Sequence, residues 1–136
     1  MAVLALAGCA AVPTYPVGTA WDAPPGWRLS VTGMRCGPAA TLDPGDPDEQ
    51  DTCLVEVAYR NIGDRARPFS GTTDEPGPTW RLVGYDAQAG EFHGRARPTA
   101  PTPPGGSGTA QLVFEVPSGL RLSRVLVGDA IVRLSG

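Results

Sequence analysis

Apolar and polar residues alternate along this chain in short runs, and turn-forming residues separate the runs. In Trp27-Arg-Leu-Ser-Val31 every second residue is apolar, so Trp27, Leu29 and Val31 share one face of an extended strand. Cys53-Leu-Val-Glu-Val-Ala-Tyr59 puts Cys53, Val55, Val57 and Tyr59 on one face, with Glu56 and Arg60 on the other. Asn61-Ile-Gly63-Asp64 then reads as a turn, because Asn and Asp bond their own backbone and glycine accepts turn dihedrals. Phe69 opens another short segment, and Trp80 to Tyr85 another strand. Asp86 to Gly90 makes a hairpin turn into Glu91-Phe92-His93. Gln111 to Val116 alternates again, with Leu112, Phe114 and Val116 facing inward, and Pro117-Ser-Gly119 stops it. Val125, Val127, Ile131, Val132 and Leu134 flank a Gly128-Asp129 turn. About seven short strands with turns between them predict an all-β chain built as a β-sandwich. Trp27 and Trp80 are expected in the core, and Trp21 as a cap on it.

Composition sharpens this picture. Eighteen glycines and fifteen prolines among 136 residues suit a turn-rich all-β domain and disfavour long helices. The length fits one domain with short extras, and 41% hydrophobic residues allow a modest core. Two inserted loops stand out, one acidic from Leu42 to Asp51 and one proline-rich from Pro98 to Gly108. A net charge of −3 argues against nucleic acid as a partner, since little phosphate counterion could be released. All eleven basic residues are arginine, a bias expected of a high-GC bacterial genome.

The amino terminus bears on location. Residues Val3 to Ala7 are apolar, and Leu6-Ala-Gly-Cys9 resembles the lipobox of bacterial lipoproteins. In that class the cysteine thiol is alkylated with a diacylglycerol and the chain is cut just before it. The resemblance implies that Cys9 is the lipidated first mature residue and that 1–8 is the remnant of a signal peptide. The eight residues before Cys9 lack the basic region and longer apolar stretch of a full signal peptide, so the natural start is expected upstream, or the sequence has been trimmed. The apolar run is far short of the roughly 20 residues that cross a membrane as a helix. Residues 9–22 read as the lipidated cysteine and a tether, and 23–136 as the folded domain. A tether of that length reaches at most roughly 45 Å and would keep the domain close to the membrane.

With Cys9 set aside, Cys36 and Cys53 remain, an even pair seventeen residues apart in an exported chain. A disulfide is the favoured reading, worth about 3 kcal/mol for a loop of this size in the chain-entropy model. Zinc is disfavoured, since two isolated cysteines and the distant His93 lack structural-site spacing.

Two segments, LVEVAYRNIGDRARPFS and GGSGTAQLVFEVPSG, resemble a family of bacterial extracellular domains related to the mycobacterial immunoprotective extracellular antigen. The first shows an alternating strand, Asn-x-Gly-Asp, then Phe-Ser. The second shows a Gly-Ser entry and a Val-Pro-x-Gly exit. The resemblance covers roughly Gly26 to Leu134. It implies an immunoglobulin-like, or telokin-like, β-sandwich in a lipoprotein or secreted protein of Gram-positive bacteria. No catalytic residues come with it.

The residues offer little for catalysis. The single histidine, His93, sits in a hairpin beside Gly94, Arg95 and Arg97, and no Gly-x-Ser-x-Gly elbow accompanies it, so a surface histidine is expected. Met34 and His93 do not make a copper cluster. Asp43, Asp46, Asp48, Glu49 and Asp51 place five carboxylates within nine residues, the donor type calcium takes. Their spacing is not that of an EF-hand loop, and a solvated acidic loop is the expected role. Pinned at its ends by a Cys36–Cys53 bridge, this loop is a candidate recognition surface. The pairs Arg65/Arg67 and Arg95/Arg97 could meet anionic headgroups or wall polymers, with scattered surface arginines the simpler reading.

The sequence therefore predicts a lipid-anchored protein on the extracytoplasmic face of the bacterial cell membrane, needing no cofactor and catalysing nothing. Its folded part is expected to be a binding or interaction module for an envelope protein or wall polymer. The alternative is a calcium- or small-ligand-binding protein using the acidic loop 43–51.

Overall fold

The computed structural model describes residues 12–23, 26–38, 50–69, 82–97 and 99–134. Nine strands and no helix occur among these residues: β1 Thr14–Pro16, β2 Ala20–Ala23, β3 Trp27–Pro38, β4 Gln50–Asn61, β5 Leu82–Tyr85, β6 Glu91–Ala96, β7 Ser107–Pro117, β8 Arg124–Val127 and β9 Ala130–Arg133. They form one curled sheet in the order β1-β9-β8-β5-β6-β7-β4-β3-β2. Every neighbouring pair is antiparallel except β1 and β9, which are parallel.

The curl has a local origin in β6. Glu91 to His93 pair with β5, whereas Gly94 to Ala96 pair with β7, so one short strand belongs to both halves of the sheet. Gly94 stands where the allegiance changes, directly over the Phe114 ring, and a Cβ there would run into that ring. The halves then face each other around one core. Trp27, Leu29, Val31, Val55, Val57, Leu112 and Phe114 come from one half, and Leu82, Val125, Val127 and Val132 from the other. Strict alternation in β3, β4 and β7 delivers these residues to one face, and removing their apolar surface from water is the main stabilising contribution.

The remaining side is formed by the amino-terminal strands, which correct the reading of residues 9–22 as a tether. From Thr14 onward this segment is part of the sheet: β1 lies beside β9, and β2 lies beside β3. A turn with Gly18 at φ 94° carries the chain between them, a conformation glycine adopts without steric penalty. The Gly18 N–H donates to the Val31 carbonyl at 2.8 Å, fastening the turn to β3. Trp21 is buried and stacks on Tyr15, with centroids 5.6 Å apart. Across β2 and β3 the Arg28 Nε donates to Asp22 Oδ1 at 2.7 Å. That hydrogen bond holds the Asp22 carboxyl below the usual carboxylate range. Both groups are exposed, so the pair orients side chains more than it stabilises the fold.

Strand limits also differ from the sequence reading. β3 continues to Pro38 through a bulge between Val31 and Gly33. The alternation is lost at Thr32-Gly33 because an extra residue flips the inside–outside phase, which sequence periodicity cannot anticipate. The proline-rich segment is not wholly a loop, since Thr102 bridges to Arg67 and Ser107 begins β7. The Trp80–Tyr85 strand is observed as Leu82–Tyr85, and Trp80 lies outside the described residues.

Candidate functional site

Cys36 and Cys53 are directly opposite each other in the β3–β4 register and form a disulfide, with Cα atoms 4.0 Å apart. The bond ties two neighbouring strands close to where β3 ends at Pro38 and β4 begins at Gln50. Cys53 is fully buried, while Cys36 packs at the margin of the core. Replacing both cysteines by alanine is expected to lower unfolding free energy by about 3 kcal/mol, read as a lower urea midpoint. An unchanged midpoint, in the variant or after reduction of the wild type, would show that the bond adds nothing to the sheet.

Of the other predicted site residues, Cys9, Asp43, Asp46, Asp48 and Glu49 lie outside the described residues. Asp51 is described, and its carboxylate is already engaged. Its Oδ2 accepts the Gly119 N–H at 2.9 Å and its Oδ1 the Ser118 hydroxyl at 3.5 Å, closing the turn after β7. Among the described residues no three His, Cys, Asp or Glu side chains come together as a metal site. His93 is exposed on the outer face of β6, paired in register with Val83. No helix among the described residues is long and apolar enough to cross a membrane.

What the structure does assemble is a groove of mixed polar and apolar lining on the outer face of the β3-β4-β7 sheet. Pairing register aligns side chains from different strands in rows across this face. One row runs Arg35, Leu54, Val113, Arg95, with an arginine at each end of two buried apolar residues. The next row runs Gly33, Glu56, Gln111. Arg35 and Leu54 of the first row, all of the second row and Met34 bound a groove of about 320 Å³. A second depression of about 280 Å³ shares Glu56 and Gln111 and extends past Arg97, Thr99 and Thr109.

The polar groups of this groove are held in place by short local bonds. Arg97 Nη1 donates to Gln111 Oε1 at 2.8 Å, while its backbone N–H donates to the Gln111 carbonyl at 2.9 Å. The Thr32 hydroxyl donates to the Glu56 carbonyl at 3.2 Å and lies 3.4 Å from its Oε1. Arg95 meets Glu115 at 3.5 Å. Both charge signs are thus presented side by side, Arg35 and Glu56 beside the Leu54 floor and Arg97 with Gln111 next to them, an arrangement suited to a polar or zwitterionic partner.

Sequence reasoning had placed Glu56 on the solvent side of its strand and had paired Arg95 with Arg97. Nothing in one strand, however, shows that Gly33, Glu56 and Gln111 are neighbours. The one usable signal was Leu54 and Val113, apolar residues on faces that alternation assigns to solvent; both are buried. No protein-family model, curated protein or solved structure matches the chain.

Proposed function

We propose that this protein is a lipoprotein anchored through Cys9 to the extracytoplasmic face of a bacterial membrane, where an immunoglobulin-like β-sandwich acts as a non-enzymatic binding module. The observation that carries the binding role is the pair of adjoining depressions that share Glu56 and Gln111, one bounded by Arg35 and the other by Arg97, with Arg97 fixed on Gln111 at 2.8 Å. Support for the sandwich comes from the two sheet halves packed around one core and from β1 and β2 attaching to opposite ends of the sheet. Support for the location comes from Leu6-Ala-Gly-Cys9 and from a disulfide, which persists in oxidising compartments. The partner class is an envelope protein or wall polymer.

The test has two readouts in the native cell. Mass spectrometry of the membrane-extracted protein is expected to find a mature chain that begins at a diacylglycerol-modified Cys9. Cross-linking in intact cells is expected to yield one dominant envelope component, and the yield should drop when Glu56→Ala and Arg97→Ala are combined. An uncleaved chain with a free Cys9 thiol removes the anchor. A cross-linked component whose yield ignores both substitutions removes the groove as the binding surface.

A further inference from the structure

The edge of the sheet beside this groove is only partly covered among the described residues. β2 pairs with β3 only through Trp27 to Ser30, and the Gly18 N–H takes the Val31 carbonyl. Beyond that point no strand among the described residues pairs with the outer side of β3, although β3 runs on to Pro38. Its backbone orientation there follows from the disulfide. A Cα separation of 4.0 Å at Cys36 and Cys53 is that of a non-hydrogen-bonded antiparallel pair, which averages about 4.5 Å against about 5.5 Å for a bonded one. The N–H and C=O of Cys36 therefore point away from β4, and alternation gives Met34 the same orientation. Two neighbours agree: the Val31 carbonyl already faces outward to Gly18, and Pro38, with no N–H to offer β4, takes the next outward position.

We propose that this edge, from Gly33 to Gly37, is a strand-addition site for an extended segment of a partner polypeptide that carries a carboxylate opposite Arg35. Met34 and Cys36 turn their side chains toward the core, so the outer face of the edge reads Gly33, Arg35, Gly37. One exposed guanidinium stands between two residues without side chains. A Cβ on Gly33 would meet nothing within 4 Å and its φ is not positive, so neither crowding nor a left-handed backbone within this chain demands glycine there. The bare position leaves room for a neighbouring strand's side chain. The groove floored by Leu54 opens immediately beside it and can receive the next outward-facing residue.

Charge decides between occupants. A second copy pairing antiparallel about Arg35 would set two guanidiniums opposite each other, and like charges directly across a ladder are unfavourable. A strand with Glu or Asp at that position gains an opposed pair instead. This proposal rests on the binding-module reading and names the chemistry of its partner. The two fail separately, because peptide binding to the purified domain does not depend on Cys9 or on the cell envelope.

The experiment is amide-resolved NMR on the purified, disulfide-bonded protein. Without ligand, the Met34 and Cys36 amides should exchange with solvent faster than those of Arg35 and Gly37, which bond to β4. Equal protection would mean that the chain already covers this edge, and would overturn the proposal. The probe is then acetyl-Thr-Val-Glu-Val-Thr-amide, compared with the same peptide centred on Lys. The Glu peptide should shift and protect the Met34 and Cys36 amides and bind about fivefold more tightly than the Lys peptide. In Arg35→Glu, an exposed substitution expected to leave the fold intact, that preference should reverse. Shifts confined to other strands, or equal affinity for both peptides, would overturn the proposal. So would a dimer by light scattering that pairs through β3, since the edge would then belong to a second copy.

Discussion

Trp27→Ala is expected to destabilise the domain by about 4 kcal/mol, enough to unfold many proteins of this size. Trp27 is 1% exposed and stands at the junction of three aromatic rings. Tyr59 and Phe69 meet it edge-on, each with a centroid 5.4 Å away, and stack on each other at 5.1 Å. Removing the indole takes away its own burial, abolishes both edge contacts and leaves a cavity that neighbouring strands cannot close without breaking their ladders. Phe69 adds to the effect, because it enters the core from the segment after β4 and is held partly by its packing on Trp27. Its backbone is anchored separately, with the Phe69 N–H donating to the Thr99 hydroxyl at 2.9 Å. Trp27→Phe, which retains a ring, should lose about half as much. Urea unfolding followed by far-ultraviolet circular dichroism measures both, and a loss below about 1 kcal/mol for Trp27→Ala would mean the cluster does not hold the core.

Asn61→Ala is the second large loss, about 3 kcal/mol, and its cause is polar. Asn61 is fully buried at the end of β4, and every polar atom of its side chain is used. Nδ2 donates to the Thr102 carbonyl at 2.8 Å and to the Arg65 carbonyl at 2.9 Å, while Oδ1 accepts the Gly63 N–H at 2.9 Å. Its own backbone closes two more bonds, N–H to the Gly106 carbonyl and C=O from the Gly105 N–H. One side chain therefore joins the turn after β4 to the proline-rich segment before β7. Alanine removes three hydrogen bonds, each worth about 1 kcal/mol; the Thr102 carbonyl keeps the Arg67 N–H at 3.1 Å, whereas the part-buried Arg65 carbonyl and Gly63 N–H lose their Asn61 partner. Asn61→Asp separates shape from polarity. It has the same size and keeps the Gly63 bond, but it turns an oxygen toward both carbonyls in place of their donor. Thermal unfolding should rank it no better than Asn61→Ala at neutral pH; an aspartate near wild type would show that the two carbonyls do not depend on Asn61.

Asn61 also shows how much the sequence discloses. Asn-x-Gly-Asp marks a turn on local chemistry alone, and a turn is there. That its asparagine bonds to Thr102, forty-one residues on, could not be read from either segment, because the partner is a backbone carbonyl that any residue would supply. The amino-terminal strands were missed for a related reason. Thr14–Pro16 and Ala20–Ala23 are too short and too rich in proline and small residues to carry an alternation, and only pairing with β9 and β3 makes them strands. Counting them and both strands around Gly128-Asp129, and dropping the expected Phe69 segment, which forms no strand among the described residues, brings the described total to nine where about seven were expected.

Local pattern by itself determined the all-β class and the inward faces of β4, β7 and β3 as far as Val31, and residue chemistry, with Cys9 set aside, favoured the Cys36–Cys53 bond. Each of these depends on period-two alternation or on residue chemistry, which a strand carries within its own sequence. Tertiary structure decided what lies side by side. It decided that β6 serves both halves of the sheet at Gly94, and that Asp51 closes a turn. It also decided that Glu56 and Gln111 share a groove, and that β3 extends past the end of its pairing with β2. Register is the physical reason: a shift of one residue between strands would keep every alternation in the sequence and dismantle every row across the sheet.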